Sequence, residues 1–391
     1  MILRLEVALK RWNLAVVVAF VAVLGLGAGA ASAAPQATRY VSPSGADTGT
    51  CASTPCLTIG YAVGQASAGD TVSVAAGTYT ESVSITKQLT LAGGGATIDA
   101  TGHDHGIEIL GAASAGTAVR GFTVRNAGLE AIFADQTSNL TISNNSLLDN
   151  DLLFFVENSP CVGSLDDCGE ALHLQTVTGS TITGNLVQDN VGGILLTDEE
   201  GPTAGNTISN NQVLDNPQDC GITLASHFFS FAGAVAPGVG GVYQNQVLNN
   251  TSNGNGAAGI GIFGGPPGAA AWGNVVSGNT AMNNGLPGVA IHSHFALQNV
   301  EGNVVVNNTL SGNGGDDDAE TPGGAGVVVF ADVTHNPIPF LPPASPIAHT
   351  TVAANRISNE DIGIYTLGAT KVSGLPSNKF DSTVGTPTSI N

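Results

Sequence analysis

The chain has 391 residues, with 30 Asp and Glu against 10 Lys and Arg, 53 Gly, and only 10% charged residues. From position 34 onward 7 basic and 29 acidic residues remain, a net charge of about −22. That balance repels nucleic acid, anionic lipid and bare polyuronate, and suits neutral ligands, cations or a medium rich in divalent metal.

The first 33 residues read as an export signal. Arg4, Lys10 and Arg11 precede the apolar run Leu14–Ala28, and Ala31-Ser32-Ala33 is a small-x-small cleavage site. No later stretch is long and apolar enough to span a bilayer. A secreted, extracellular product starting near Ala34 is expected, with no membrane partner. In that oxidising compartment Cys51 with Cys56, and Cys161 with Cys168, are candidate local disulfides, and Cys220 is left over, most simply as a buried thiol.

Arg39-Tyr40-Val41 is a short strand. Residues 57–68 carry Leu57, Ile59, Tyr61, Ala62, Val63 and Ala66 at helical spacing. Short strands follow around Val72/Val74, Val83-Ser84-Ile85, Leu89-Thr90-Leu91 and Ala96-Thr97-Ile98. A helix ahead of the first coil would cover the open end of the core and block a pairing edge.

From about Thr141 to Leu367 one phrase recurs. Its clearest copy is TITGNLVQDNVGGILL (181–196): a strand, a turn at Asn185, a second strand, a turn at Asn190 and a third strand. The Asn before the second strand is read again at Asn145, Asn211, Asn245, Asn274, Asn303 and Asn355, at intervals of 40, 26, 34, 29, 29 and 52. This is the signature of a solenoid with about 22–25 residues per three-sided coil and the excess in loops. An Asn in every coil fits a sharp left-handed corner and a hydrogen-bonded amide ladder. The third strand recurs from Gly106 onward, so Ile107, Ile132, Leu172, Ile194, Ile222, Ile260, Val289, Val327 and Ile364 should form one interior aliphatic column.

The phrase AGDTVSVAAGTYTESVSITKQLTLAGGGATIDA (68–100), preceded by CLTIGYAVGQAS, resembles the opening of the pectin-lyase-like superfamily, and the later coils resemble its repeat region. The resemblance implies an all-β fold: a single-stranded right-handed parallel β-helix over residues 34–380, of about nine to ten coils, with a capping helix at 57–68 and a tail at 381–391. It implies fold rather than activity. In enzymes of this superfamily the substrate groove lies over the outer face of one parallel sheet. Here the third-strand sheet is the candidate. Alternation places Glu108, Phe133, His173, Leu195, Thr223, Gly261, Ala290, Val328 and Tyr365 outward, followed by Leu110, Asp135, Gln175, Thr197, Ala225, Phe263, His292, Phe330 and Leu367.

Two polar spots result. Glu108, Asp135 and His173 are the candidate catalytic set for acid–base work on a glycan, with Gln175, Asp198, Glu199, Glu200 and His227 adjoining as ligand-binding or Ca²⁺-binding groups. His292, His294 and Asp332, with His335 nearby, form the candidate transition-metal set, because two His at i and i+2 on a strand point the same way. The competing readings are a solvated acidic surface and histidines lining an apolar patch. Phe229, Trp272 and Phe295, with Phe228 and Phe231, could stack on sugar rings or pack among themselves. Asp316-Asp317-Asp318 lacks EF-hand spacing and reads as a solvated acidic loop. Sequence motifs of polygalacturonases, pectate lyases and uronate epimerases are absent, and none of the seven remaining cations falls on the groove in this register. The expected function is a secreted β-helix protein binding extracellular glycan through long loops. A glycoside hydrolase or lyase, and an adhesive rod, are the alternatives. Ca²⁺ is the candidate cofactor, and monomer versus homo-oligomer is left open.

Overall fold

The computed structural model describes residues 36–153, 170–334, 340–368 and 371–391. The export signal, Cys161, Cys168 and His335 lie outside the described residues. Within them the chain is a parallel β-helix. Its third sheet runs through eleven strands, from Val83–Ile85 to Thr386–Ile390. That exceeds the nine to ten coils expected, because each end adds a strand. The segment expected as a tail supplies the last one: Thr386–Ile390 pairs in parallel with Ile362–Leu367, placing Thr388 beside Ile364.

The aliphatic column forms in the expected register, with Ile107, Ile132, Leu172 and Ile194 as consecutive partners and Ile222, Ile260, Val289, Val327 and Ile364 above them. All nine are fully buried, each worth roughly 1.5–3 kcal/mol. Glycine opens most of these strands for a steric reason. A Cβ on Gly193 would stand 1.9 Å from the carbonyl oxygen of Gly221 in the next coil, and Gly259, Gly288 and Gly326 meet the next coil's carbonyl in the same way. The corner is too tight for a side chain.

The capping helix is Ile59–Gln65, shorter than expected. Thr58 is its N-cap, accepting from the backbone N of Tyr61, and Ala66 is already extended. Opposite charges hold its two ends. The Glu81 carboxylate accepts from the N–H groups of Ile59 (2.9 Å) and Gly60 (2.8 Å), and Lys87 Nζ donates to the carbonyls of Val63 (3.1 Å) and Ala66 (2.9 Å). Both complement the helix dipole. Ile59, Ala62 and Val63 are buried against the first strands. The Cys51–Cys56 disulfide is formed nearby, with Cα atoms 5.2 Å apart. Cys220 is a buried thiol whose pKa burial pushes up.

Three corners carry asparagine ladders. One contains Asn145, Asn185, Asn211, Asn250, Asn279, Asn308, Asn355 and Asn378, each Oδ1 after the first accepting from the backbone N and Nδ2 of the Asn one coil earlier. A second joins Asn206, Asn245, Asn274 and Asn303. A third runs from Asn150 through Asn190, Asn216, Asn255 and Asn284 to Asn313. The single Asn column expected from sequence therefore mixes two corners: Asn245, Asn274 and Asn303 stand five residues ahead of the true partners Asn250, Asn279 and Asn308. The left-handed residue is also not the ladder Asn but its predecessor, as at Asn210 (φ 56°), Asn249 (φ 55°) and Asn307 (φ 59°). One residue turns the chain, and the next fills the corner with hydrogen bonds.

Candidate functional site

The outer face of the third sheet follows the expected register. Glu108, Phe133, His173, Leu195, Thr223, Gly261, Ala290, Val328 and Tyr365 are successive partners. The chemistry along it differs from expectation.

At the N-terminal end, Glu108, Asp135 and His173 do not converge. Phe133 stands between Glu108 and His173 in the register. Asp135 faces Gln136 and Glu200, and burial followed by the Glu200 charge raises its pKa. His173 instead joins Glu130. Glu130 Oε1 is 3.3 Å from His173 Nδ1 and Oε2 is 2.8 Å from His105 Nδ1. Burial opposes its charge, but the two imidazoles outweigh burial and hold the carboxyl down at about 2. Burial likewise works against charge on His105, while Glu130 beside it pushes the pKa up. The rings pack through Phe133, stacked on His105 at 5.1 Å and edge-on to His173 at 5.5 Å.

His173 Nε2 lies 2.8 Å from Thr197 Oγ1. Carboxylate, imidazole and hydroxyl in that order match a nucleophile-activating triad. Thr197, however, has no exposed surface, so no substrate atom reaches its hydroxyl. The network is a buried cluster, closed to solvent at its hydroxyl end, that ties this end of the sheet together.

Asp198 is also not a ligand group. It is fully buried and accepts from Ser226 Oγ (2.9 Å) and the backbone N of His227 (2.6 Å), Phe228 (3.2 Å) and Gly241. Its carboxylate closes the loop from Ser226 to Gly241. Burial raises its pKa against those hydrogen bonds. Glu199 pairs with His227 Nδ1 at 2.7 Å. Burial disfavours its charge, but the hydrogen bond from His227 prevails and lowers the pKa. Gln175 sits half-buried between Asp135 and Thr197.

An accessible concavity lies over the middle strands. Glu170, Asp219, Thr223, Ala225, His227 and His294 line one cavity of about 260 Å³. An adjoining cavity of about 300 Å³ includes His292, Asp316, Asp317 and Asp318, and Phe263 and His294 border both. The two form one trough. A larger hollow of about 690 Å³ sits at the C-terminal end around Val372, Leu375 and Ile390, and none of the expected site residues lines it.

His292 and His294 converge as expected, with Nδ1 and Nε2 3.3 Å apart. The third group within reach is the Asp318 carboxylate rather than that of Asp332. The Asp316–Asp318 loop is not simply solvated: Asp316 is 3% exposed and its Oδ2 lies 2.8 Å from His292 Nε2. Burial opposes the Asp316 charge, but His292 outweighs it and the pKa is lowered. Asp332 follows the next strand, with its backbone N bonded to the carbonyl of Ser293 at 3.0 Å.

The aromatics divide. Trp272 is taken up in packing, stacked on Tyr243 at 4.2 Å. Phe295 is half-buried, its N–H held by Gln298 Oε1 at 3.1 Å. Phe229, Phe231 and Phe340 form an exposed cluster, with ring centroids 4.7 and 5.6 Å apart. The residues of these clusters not singled out from sequence are His105, Glu130, Asp219 and Glu170. A signal existed for two of them: Glu130 and Glu170 each stand two residues ahead of a column aliphatic, Ile132 and Leu172.

The sequence pattern of the right handed beta helix region matches residues 85–366. The chain belongs to the right-handed β-helix family. The pectin-lyase-like resemblance is thereby met at the level of fold. Among solved structures the chain is similar to the A-module of the Azotobacter vinelandii mannuronan C-5 epimerase AlgE4, at 16% identity and a TM-score of 0.56, covering 85% of this chain and 90% of that one. It is also similar to the AlgE6 A-module from the same organism (15%, 0.51, covering 82% and 91%) and to pectate lyase Pel9A (15%, 0.51, covering 89% and 79%). At these identities the likeness is one of fold. No curated protein sequence matches the chain.

Proposed function

We propose that this β-helix protein is a secreted binder of neutral extracellular glycan, with the sugar chain lying in the trough over the middle of the third sheet. The observation that carries the reading is the exposed Phe229–Phe231–Phe340 cluster, taken together with the polar-floored trough. Phe229 and Phe231 follow His227, which lines that trough, by two and four residues. Apolar ring faces beside carboxylates and imidazoles suit pyranose rings, whose C–H faces stack while their hydroxyls hydrogen-bond. The net charge of −20 over the whole chain disfavours polyuronates.

The test is retention on a panel of immobilised neutral and acidic polysaccharides, with Phe229→Ala/Phe231→Ala as the variant. Both rings are at least half exposed, so folding should persist. Retention on a neutral glycan that the double variant loses is expected. Retention unchanged by the double variant, or confined to polyuronates, would overturn the reading.

A second reading, hydrolysis or lysis, is favoured by one feature: Glu170, Asp219, His227 and His294 line the same cavity. Two carboxylates near imidazoles are the groups for acid–base work on a glycosidic bond. Shorter products in mass analysis of the same panel would establish it.

A further inference from the structure

We propose that His292, His294 and Asp318 form a binding site for one divalent transition-metal ion of the zinc type, at the edge of the trough. The argument starts from the tautomer of His292. Its Nε2 lies 2.8 Å from Oδ2 of buried Asp316, an acceptor that favours the tautomer with the proton on Nε2. In that tautomer Nδ1 offers a lone pair. It faces His294 Nε2 at 3.3 Å. Two imidazole nitrogens bound to one tetrahedral ion at about 2.0–2.1 Å would be about 3.3–3.4 Å apart, so the observed separation is that of a coordination edge. The donor atoms of His292, His294 and Asp318 all lie within 4.8 Å of one another, and a rotation of the exposed Asp318 side chain closes the remainder.

The surroundings hold this geometry. In the sheet register Phe263, His292 and Phe330 are consecutive, and both phenyl rings meet the His292 ring edge-on at 5.3 Å. Asp316 is itself fixed: its Oδ1 accepts from the Ala319 N–H and its own N–H donates to Thr321 Oγ1. Gln298 Oε1 accepts the backbone N–H of His294 at 2.8 Å while Nε2 ties down the carbonyls of Gly264 and Gly265, each at 2.8 Å. A carboxylate behind a ligating imidazole, and ligands on rigid strands, are what a metal site requires. Two imidazoles and one carboxylate select zinc-like ions over Ca²⁺, which takes six to eight oxygens. His294 and Asp318 border the trough, so the fourth position opens to it.

The test is titration of the tag-free, chelator-treated protein with Zn²⁺ by calorimetry, and with Co²⁺ by visible absorption, each repeated in excess Ca²⁺. One equivalent bound, with the d–d bands of four-coordinate Co²⁺ and no competition from Ca²⁺, is expected. Asp318→Asn and His294→Gln should abolish saturable binding. Asp316→Asn, a positioning change, should weaken it by about 10–100-fold. Asp317→Asn, the exposed neighbour, should leave it unchanged. Circular dichroism of each variant establishes that it folds. No saturable binding to the wild type would show that the two rings share only a hydrogen bond and would overturn the proposal. Equal loss in Asp317→Asn and Asp318→Asn would do the same, by showing diffuse charge attraction. These readouts are independent of glycan retention.

Discussion

The third asparagine ladder ends on a carboxylate, and that substitution has a measurable consequence. Where the next Asn would stand, Glu360 accepts from the backbone N of Asn313 at 3.2 and 3.1 Å and from its Nδ2 at 2.8 Å. Glu360 is 3% exposed. Burial raises its pKa from 4.5 to about 7, with the Asp361 charge adding to the rise and the Asn313 hydrogen bonds opposing it. Between those two values the folded protein keeps a proton that the unfolded chain has released. Stability therefore falls as pH rises through that window and levels off above about 7. The gap corresponds to at most about 3 kcal/mol, reduced to the extent that water reaches the carboxylate.

Glu360→Gln keeps a carbonyl acceptor for Asn313 and removes the charge. Denaturant unfolding followed by circular dichroism at a series of pH values is the assay. At pH 4 the variant should match the wild type. At pH 8 it should be more stable by up to about 3 kcal/mol. A difference that stays flat from pH 4 to pH 9 would refute the reasoning, because it would mean that Glu360 is ionised in both states or buried in neither.

Gly193→Ala should destabilise by about 3 kcal/mol or more, since the new methyl meets backbone rather than a movable side chain; thermal unfolding would show it. Asn211→Asp places a carboxylate against two acceptors, the carbonyl of Ile182 and Oδ1 of Asn250. It should cost about 3–5 kcal/mol at pH 7 and less at pH 3, where the new acid is neutral. Glu130→Gln should cost about 3 kcal/mol at neutral pH, because the folded carboxyl is held at about 2 against an ordinary 4.5. That contribution is present above 4.5 and lost as pH falls towards 2, so the two proteins should converge in acid denaturation.

What was legible in the sequence followed from period two. The interior column and the outward register needed only alternation about a fixed aliphatic, and nine aliphatic positions supplied it. The asparagines were harder. Three corners carry them five residues apart, as in Asn206, Asn211 and Asn216, so a reading that follows one column slips to its neighbour wherever a loop changes the coil length. The last strand had no apolar signal. In TPTSI, Thr388 stands where every earlier coil has an aliphatic, and backbone pairing alone places it. His292 and His294 were readable because neighbours on one strand have a fixed geometry. Asp318 was not, because it comes from a loop, and loop length does not determine where a loop's carboxylates lie. The same limit hid the pairing of Glu130 with His173, which are 43 residues apart in the chain.

The division between scaffold and site follows from how polar groups are used. In the ladders each amide is saturated: Asn211 accepts from Asn185 N and Nδ2 and donates to Ile182 and Asn250. The Glu130 cluster is closed by burial instead, with its carboxylate between two imidazoles and its terminal hydroxyl sealed from solvent. A group whose partners are complete and whose surface is closed has no capacity left for a ligand. The trough is different. There, His294 and Asp318 keep exposed surface, and on the loop that follows His227 Phe229 and Phe231 are exposed. Function in this fold is therefore to be sought where polar outward groups are held in place and still open to solvent. On the third sheet His294 and Asp318 meet that condition over the middle strands.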